Sequence, residues 1–176
     1  MKFMSGLIVG VVLVPIALYL YMRSGWAPVA TSAPPIPMEE MLVKSALHAE
    51  LRREAPKTVP IRADEAALLA GARVYRDDCA FCHGIPHRSA TAASKGMFPR
   101  PPQLFQPDEM VTDDPAGVTF WKAKYGIRLS GMPGFQASLS DEQLWQVSLL
   151  LAGADKLPAP VEQALAAAPS GGDSSK

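Results

Sequence analysis

Apolar positions along the chain follow two rhythms. From Phe3 to Met22 they are nearly continuous: 20 residues, FMSGLIVGVVLVPIALYLYM, carry no charge. As a helix this run spans about 30 Å, the thickness of a bilayer's hydrocarbon core. Pro15 is tolerable in a membrane helix. Tyr19, Tyr21 and Trp26 gather near one end, where interfacial aromatics belong. A cleaved secretory leader has a shorter apolar core, about 7–15 residues, with a small-x-small site soon after it. Met22-Arg23-Ser24-Gly25-Trp26 offers none, and the nearest candidate, Thr31-Ser32-Ala33, lies well downstream. Residues 1–22 are therefore expected to form an uncleaved transmembrane anchor.

Beyond it the apolar positions recur at helical spacing. Over residues 38–54, Val43, Leu47 and Leu51 fall every four residues, with Glu39 and Glu40 at the start and Arg52 and Arg53 at the end. That polarity suits a helix dipole. The segment reads as a spacer helix that packs on the following domain, on a partner, or on nothing; Pro56 stops it. A second helix opens near Asp64, with Leu68, Ala72 and Tyr75 on one side. Gly71 in its middle costs about 1 kcal/mol against Ala, so a close approach by another helix is expected there. A third helix covers residues 114–125, with Asp113 or Asp114 as cap and Gly126 after its end. Ser140-Asp141-Glu142-Gln143 is a capping box for a last helix running to Gly153, with Leu144, Val147, Ser148 and Leu151 on one face, widened by Trp145, Leu149 and Ala152.

Composition fills the spaces between. The 17 prolines cluster at 28–37, 56–60, 99–107 and 158–169. Residues 23–37 read as a semi-extended tether reaching roughly 45 Å. Residues 84–107 read as irregular loop, and residues 155–176 as a flexible tail with at most one turn of helix. The expected organisation is thus an anchor at 1–22, a tether and spacer helix at 23–60, one all-α domain at 61–154, and a tail at 155–176. With 17 basic and 17 acidic side chains, nothing supports nucleic-acid binding.

The chemistry lies in Cys79-Ala80-Phe81-Cys82-His83. Cys-x-x-Cys-His is the attachment run of a c-type haem. Thiols three apart sit about one helical turn from each other and can reach one edge of a porphyrin. The histidine that follows can then ligate the iron. These are the only cysteines. A disulfide between them would close a tiny loop and stabilise little. A zinc site lacks a second distant pair of ligands, and a thioredoxin-like dithiol lacks its strand–helix–strand setting. The irregular stretch 84–107 becomes reasonable if it wraps a cofactor.

The sixth iron ligand has five candidates: Met97, Met110, Met132, His48 and His87. His87 starts on the same side of the ring as His83, and His48 precedes the domain. Both read as surface histidines. Met110 reads as a gap filler. Met132 lies in Ser130-Gly131-Met132-Pro133-Gly134, a tight non-helical loop that can press a thioether onto a flat ring. Met132 is the favoured ligand and Met97 its main rival.

From these residues the stretch 61–153 resembles a membrane-anchored, mono-haem class I c-type cytochrome of bacteria. The resemblance rests on Cys79, Cys82 and His83, on the Gly-Met132-Pro loop, and on the first and last helices. It implies a cytochrome c fold of three to four helices around one covalent haem c, with Cys79 and Cys82 as thioethers and His83 and Met132 as axial iron ligands. It implies that Gly71 and Tyr75 meet Trp145 where those helices cross. It also implies that a carbonyl of Pro99, Pro101 or Pro102 accepts a hydrogen bond from His83, with Leu104 against the haem. Haem attachment in that family happens outside the cytoplasm, so residues 23–176 are expected in the periplasm, held to the inner membrane by a single pass.

Two filled axial positions make one-electron transfer the natural chemistry. The expected function is a tethered electron carrier, not an enzyme, with redox partners such as a dehydrogenase, a quinol oxidoreductase or a terminal oxidase. The alternatives are a haem-carrying subunit of a larger membrane oxidoreductase and, less favoured, a gas sensor with a displaceable Met132. Residues 61–154 hold nine basic and ten acidic side chains, so charge does not name the partner. Lys122, Lys124 and Arg128 read as a solvated helix surface in preference to a docking patch.

Overall fold

The structure is a computed structural model that describes residues 2–167, with the side chains of residues 2–5, 7 and 8 outside the description. It divides into two compact units, one up to Met41 and one from Leu42 onward. The first holds helix α1, Lys2–Arg23, with Pro15 inside it. Among the described residues no helix is long and apolar enough to cross a membrane. The uncharged run Phe3–Met22 begins among the side chains outside the description, so the expected anchor is covered only in part. Helix α2, Glu39–Glu54, starts at the end of this unit, where the Glu39 carboxylate accepts from the Ile36 amide at 2.9 Å.

The second unit is helical, with no strand among the described residues; Ile127 and Met132 form one isolated bridge. Helix α3, Glu65–Val74, is capped by Asp64, whose carboxylate accepts from the Ala67 amide at 2.9 Å. It passes into a π-helical turn, Tyr75–Cys79, and then into α4, Ala80–His83. Helix α6 is Ala116–Tyr125, α7 is Asp141–Ala152, and α8 is Ala159–Ala166.

Helix α7 is the centre of the packing. Its capping box forms as the sequence predicts, with Gln143 N–H donating to Ser140 Oγ at 3.2 Å and Ser140 N–H to Gln143 Oε1 at 2.9 Å. One side of α7 gives Val147, Leu150 and Leu151 to a core shared with Ala72 of α3 and Tyr75 of the π turn. The other side gives Leu144 and Trp145 to a cluster with Phe120 and Ala123 of α6. Gly71 is where α3 and α7 meet most closely: a methyl there would stand 2.7 Å from the Gln146 carbonyl carbon and 3.1 Å from the Val147 nitrogen.

Four expectations change. Residues 155–176 are not simply a tail, because α8 packs on α3 and buries Val161 and Leu165 completely. Its spacing carried the signal, Val161 and Leu165 at i and i+4, but the Ala and Pro around them masked it. Residues 168–176 lie outside the described residues. The stretch 84–107 contains a short helix α5, Ala92–Gly96, because the Thr91 hydroxyl caps it by accepting from the Ser94 amide at 3.0 Å. Helix α6 begins after Pro115 with no side-chain cap, so neither Asp113 nor Asp114 serves. Trp145 does not take Tyr75 as its ring partner. It stacks on Phe120 at 4.2 Å and 16°, while Tyr75 meets Phe105 edge-on at 5.0 Å and 85°. The Tyr75 hydroxyl donates to the Gly84 carbonyl at 2.7 Å, which turns that ring toward the 84–105 segment. Helix α2 belongs largely to this unit: Leu51 is 7 % exposed, and the Pro56 carbonyl lies against Gly117.

Candidate haem site

The π turn delivers the cysteine run. In it the Ala80 N–H donates to the Tyr75 carbonyl, five residues back instead of four. Cys79 ends that turn and Cys82 follows within α4; both thiols are free and half-buried. Burial pushes the Cys79 thiol up to about 12, and the neighbouring Asp78 and Cys82 add to the effect. At neutral pH it is a protonated thiol. Gly84 then ends α4 with φ of 70°, a left-handed conformation that suits glycine.

His83 is held from its far side. Its Nδ1–H donates to the Pro102 carbonyl at 2.8 Å, so Pro102 is the proline that supports the ring. The bond assigns the tautomer and leaves Nε2 as a lone-pair donor. Burial lowers His83 from the ordinary imidazole value and outweighs the opposing effect of the Pro102 bond. The net lowering favours a neutral ring, and the Pro102 bond leaves Nε2 free, which is the ligating form. The Leu104 amide donates to the His83 carbonyl at 3.3 Å, and Leu104 is buried as expected.

Gln103, between Pro102 and Leu104, is a residue the sequence reading passed over. It is 4 % exposed. Its Nε2 donates to the Cys82 carbonyl at 3.1 Å, to Ser94 Oγ at 3.1 Å and to the Pro101 carbonyl at 3.2 Å. Its backbone N–H donates to Glu109 Oε2. One side chain thus ties the second cysteine to the segment that carries the Pro102 carbonyl. The signal available was a polar residue set inside the otherwise apolar run Pro101-Pro102-Gln103-Leu104-Phe105.

The Met132 loop is pinned at both ends. The Ile127 amide donates to the Met132 carbonyl at 3.1 Å, and the Met132 amide to Ser130 Oγ at 3.3 Å. The Phe135 amide donates to the Ala123 carbonyl at 3.0 Å, returning the chain to α6. Gly126, at φ of 72°, lets the loop fold back: a methyl there would stand 2.6 Å from the Gly134 nitrogen. The rival Met97 comes to the same place. A methyl on Gly131 would stand 2.9 Å from Met97 Cε, so the end of the Met97 side chain lies against the loop that carries Met132. His87 is exposed and Met110 half-buried, while His48 lies on exposed α2. Lys122 and Lys124 each have a carboxylate partner, Asp114 at 3.4 Å and Asp141 at 2.7 Å. This donor set fits a covalently held haem: two thiols on successive turns, a neutral imidazole with Nε2 open, and one methionine, Met132, on a fixed loop with Met97 beside it. Among the described residues no group of three or more His, Cys, Asp or Glu could hold a bare metal ion.

An all-α unit in which α3 and its π turn run into Cys79-x-x-Cys82-His83, with that histidine braced on a proline carbonyl, is built like a class I c-type cytochrome domain. Residues 66–149 match the family described as cytochrome c oxidase, cbb3-type, subunit III. Among solved structures the chain is similar to the reducing HAO-like protein complex of Kuenenia stuttgartiensis, at 21% identity and a TM-score of 0.45, covering 60% of this chain and 54% of that one. The chain therefore spans about half the length of that relative. No curated protein sequence matches it. The family match implies electron transfer and haem c.

Proposed function

We propose that the chain is a mono-haem electron carrier tethered to the bacterial inner membrane with its haem domain in the periplasm. Cys79 and Cys82 would hold the haem through thioethers, and His83 Nε2 and Met132 would be the protein's two ligands to its iron. The observation that carries this reading is the 2.8 Å bond from His83 Nδ1–H to Pro102, because it frees one nitrogen for a metal and fixes the ring that presents it. When bound, haem c supplies an iron that changes by one electron, with thioether ligation favouring Fe(II). The chain's part is to orient the imidazole, to hold a thioether on a rigid loop, and to exclude water with Leu104 and Tyr75. The single Cys-x-x-Cys-His run supports one haem. The uncharged run Phe3–Met22 supports a single-pass anchor, and its proximity effect would present the domain to membrane enzymes at high effective concentration.

The test is Met132→Ala in the haem-loaded full chain. Loss of the far-red methionine–iron band and a fall in potential are expected. An unchanged spectrum, with the band lost instead in Met97→Ala, moves the ligand to Met97. Fractionation tests the anchor: haem-stained chain should stay with membranes and lose its haem domain to protease added to spheroplasts.

A second reading, a haem-carrying subunit of a larger oxidoreductase, is favoured by the matching family, which describes an oxidase subunit. Co-purification with an oxidase core in mild detergent supports it; a lone chain supports the free carrier.

A further inference from the structure

Helices α2 and α6 face each other across a cleft of about 460 Å³. None of its lining residues belongs to the haem motif or to the loops around Met97 and Met132. Leu51, Pro56 and Val118 make an apolar floor. His48, Arg52, Lys57 and Lys122 stand around it, with Asp114 as the one carboxylate. The volume is in the range of small-molecule sites.

The charges at this cleft are only partly paired. Lys122 Nζ lies 3.4 Å from Asp114, so that pair is neutral. Arg52 and Lys57 then stand without an ion-pair partner among the described residues. Their neighbours do not: Arg53, next on the same helix, contacts Glu50 at 2.8 Å and Glu54 at 3.0 Å. Lys124 of α6 contacts Asp141 at 2.7 Å. In a chain with equal numbers of acidic and basic side chains, two unpaired cations converge here from the end of α2 and the turn after it. An ordinary solvated helix face would leave such cations divergent on a convex surface. Here they line a concavity with an apolar floor.

We propose that this cleft binds a small organic polyanion, a polycarboxylate or a phosphate ester. Arg52 offers a planar fork for one anionic group. Lys57 offers a point charge for a second, and the His48 ring adds a hydrogen-bond donor. The hydrocarbon part of the ligand lies on Leu51, Pro56 and Val118. Because α2 supplies one wall and α6 the other, a bound anion ties α2 to the haem domain. Binding to the folded state alone raises stability.

The test titrates citrate, and separately glycerol phosphate, into the haem-loaded full chain in neutral detergent. Calorimetry is run with chloride set to constant ionic strength. One saturable site is expected, with a rise in melting temperature as it fills. Arg52→Gln and Lys57→Gln should each weaken it by about tenfold or more, the value of one charge-assisted hydrogen bond. Arg53→Gln, which removes an already paired charge, should leave it unchanged. An unaltered haem spectrum shows that each variant is folded. Absence of saturable binding with both anions overturns the proposal. So does equal weakening by Arg53→Gln, which would mean general screening.

Discussion

Gln103 sits at the junction of three chain segments, and its removal tests whether that junction organises the site. Its amide has two protons and serves three acceptors, so at most two full hydrogen bonds are at stake. At about 1 kcal/mol net for each, Gln103→Ala loses about 2 kcal/mol. The Cys82 and Pro101 carbonyls are then short of a donor, and the Ser94 hydroxyl can rotate elsewhere. Against this, Gln103 Oε1 is buried without a partner, and its loss returns about 1–2 kcal/mol. The vacated volume adds a cavity cost. The net expectation is a destabilisation of about 1–3 kcal/mol, or a few degrees of melting temperature per kcal/mol. Gln103→Glu separates donation from shape. A carboxylate of nearly the same volume would face the Cys82 and Pro101 carbonyls with no proton to give. Burial would raise its folded pKa above the unfolded value of about 4.3. Its penalty should therefore be small in acid, where it is protonated in both states. It should grow as pH rises through the raised folded value. Thermal melts of both haem-loaded variants at pH 4 and 7 read this directly. A Glu variant as stable as wild type at pH 7, or equally impaired at both values, would refute the donor role.

Three further outcomes follow from the packing and the charges. Leu165→Ala should cost about 2–5 kcal/mol in urea melts, because Leu165 is fully buried on the inner side of α8; a cost under about 0.5 kcal/mol would return residues 155–167 to the status of a tail. Gly71→Ala gains about 1 kcal/mol of helix propensity but drives a methyl into the α7 backbone, which cannot rotate away, so a net loss of about 1–3 kcal/mol is expected; a stabilised variant would refute the close crossing. The Asp78 carboxyl is raised by burial and then by Asp77, so its contribution to stability is present below its unfolded value and is lost as pH rises through the folded one. Asp78→Asn should accordingly stabilise at pH 7 and change little at pH 3, and equal melting shifts at both would contradict the sign.

The parts of the fold with a local cause were legible in the sequence. The Ser140 box, the bounds of α2 and α7 and the close approach at Gly71 depend on residues within a turn or on one missing side chain. The cysteine run was legible because its spacing is its chemistry. What depended on long-range geometry was not. Three prolines were equivalent as supporters of His83, and only the path of the 98–105 segment chooses Pro102. The partners of Tyr75 and Trp145 exchanged because rings choose by direction, which sequence spacing does not hold. Helix α8 was hidden because two buried side chains among alanines and prolines look like a linker until α3 covers them.

The π turn at Tyr75–Cys79 acts as a phase shifter. One residue of an α-helix corresponds to about 100° of rotation. By absorbing one extra residue, the turn points everything after it about that far from where an unbroken helix would. The small face of α3, with Gly71 and Ala72, can then be aimed at α7 while the two thiols are aimed independently. Packing and cofactor capture, which on a continuous helix would compete for one set of angles, become two separately adjustable settings on a single rod.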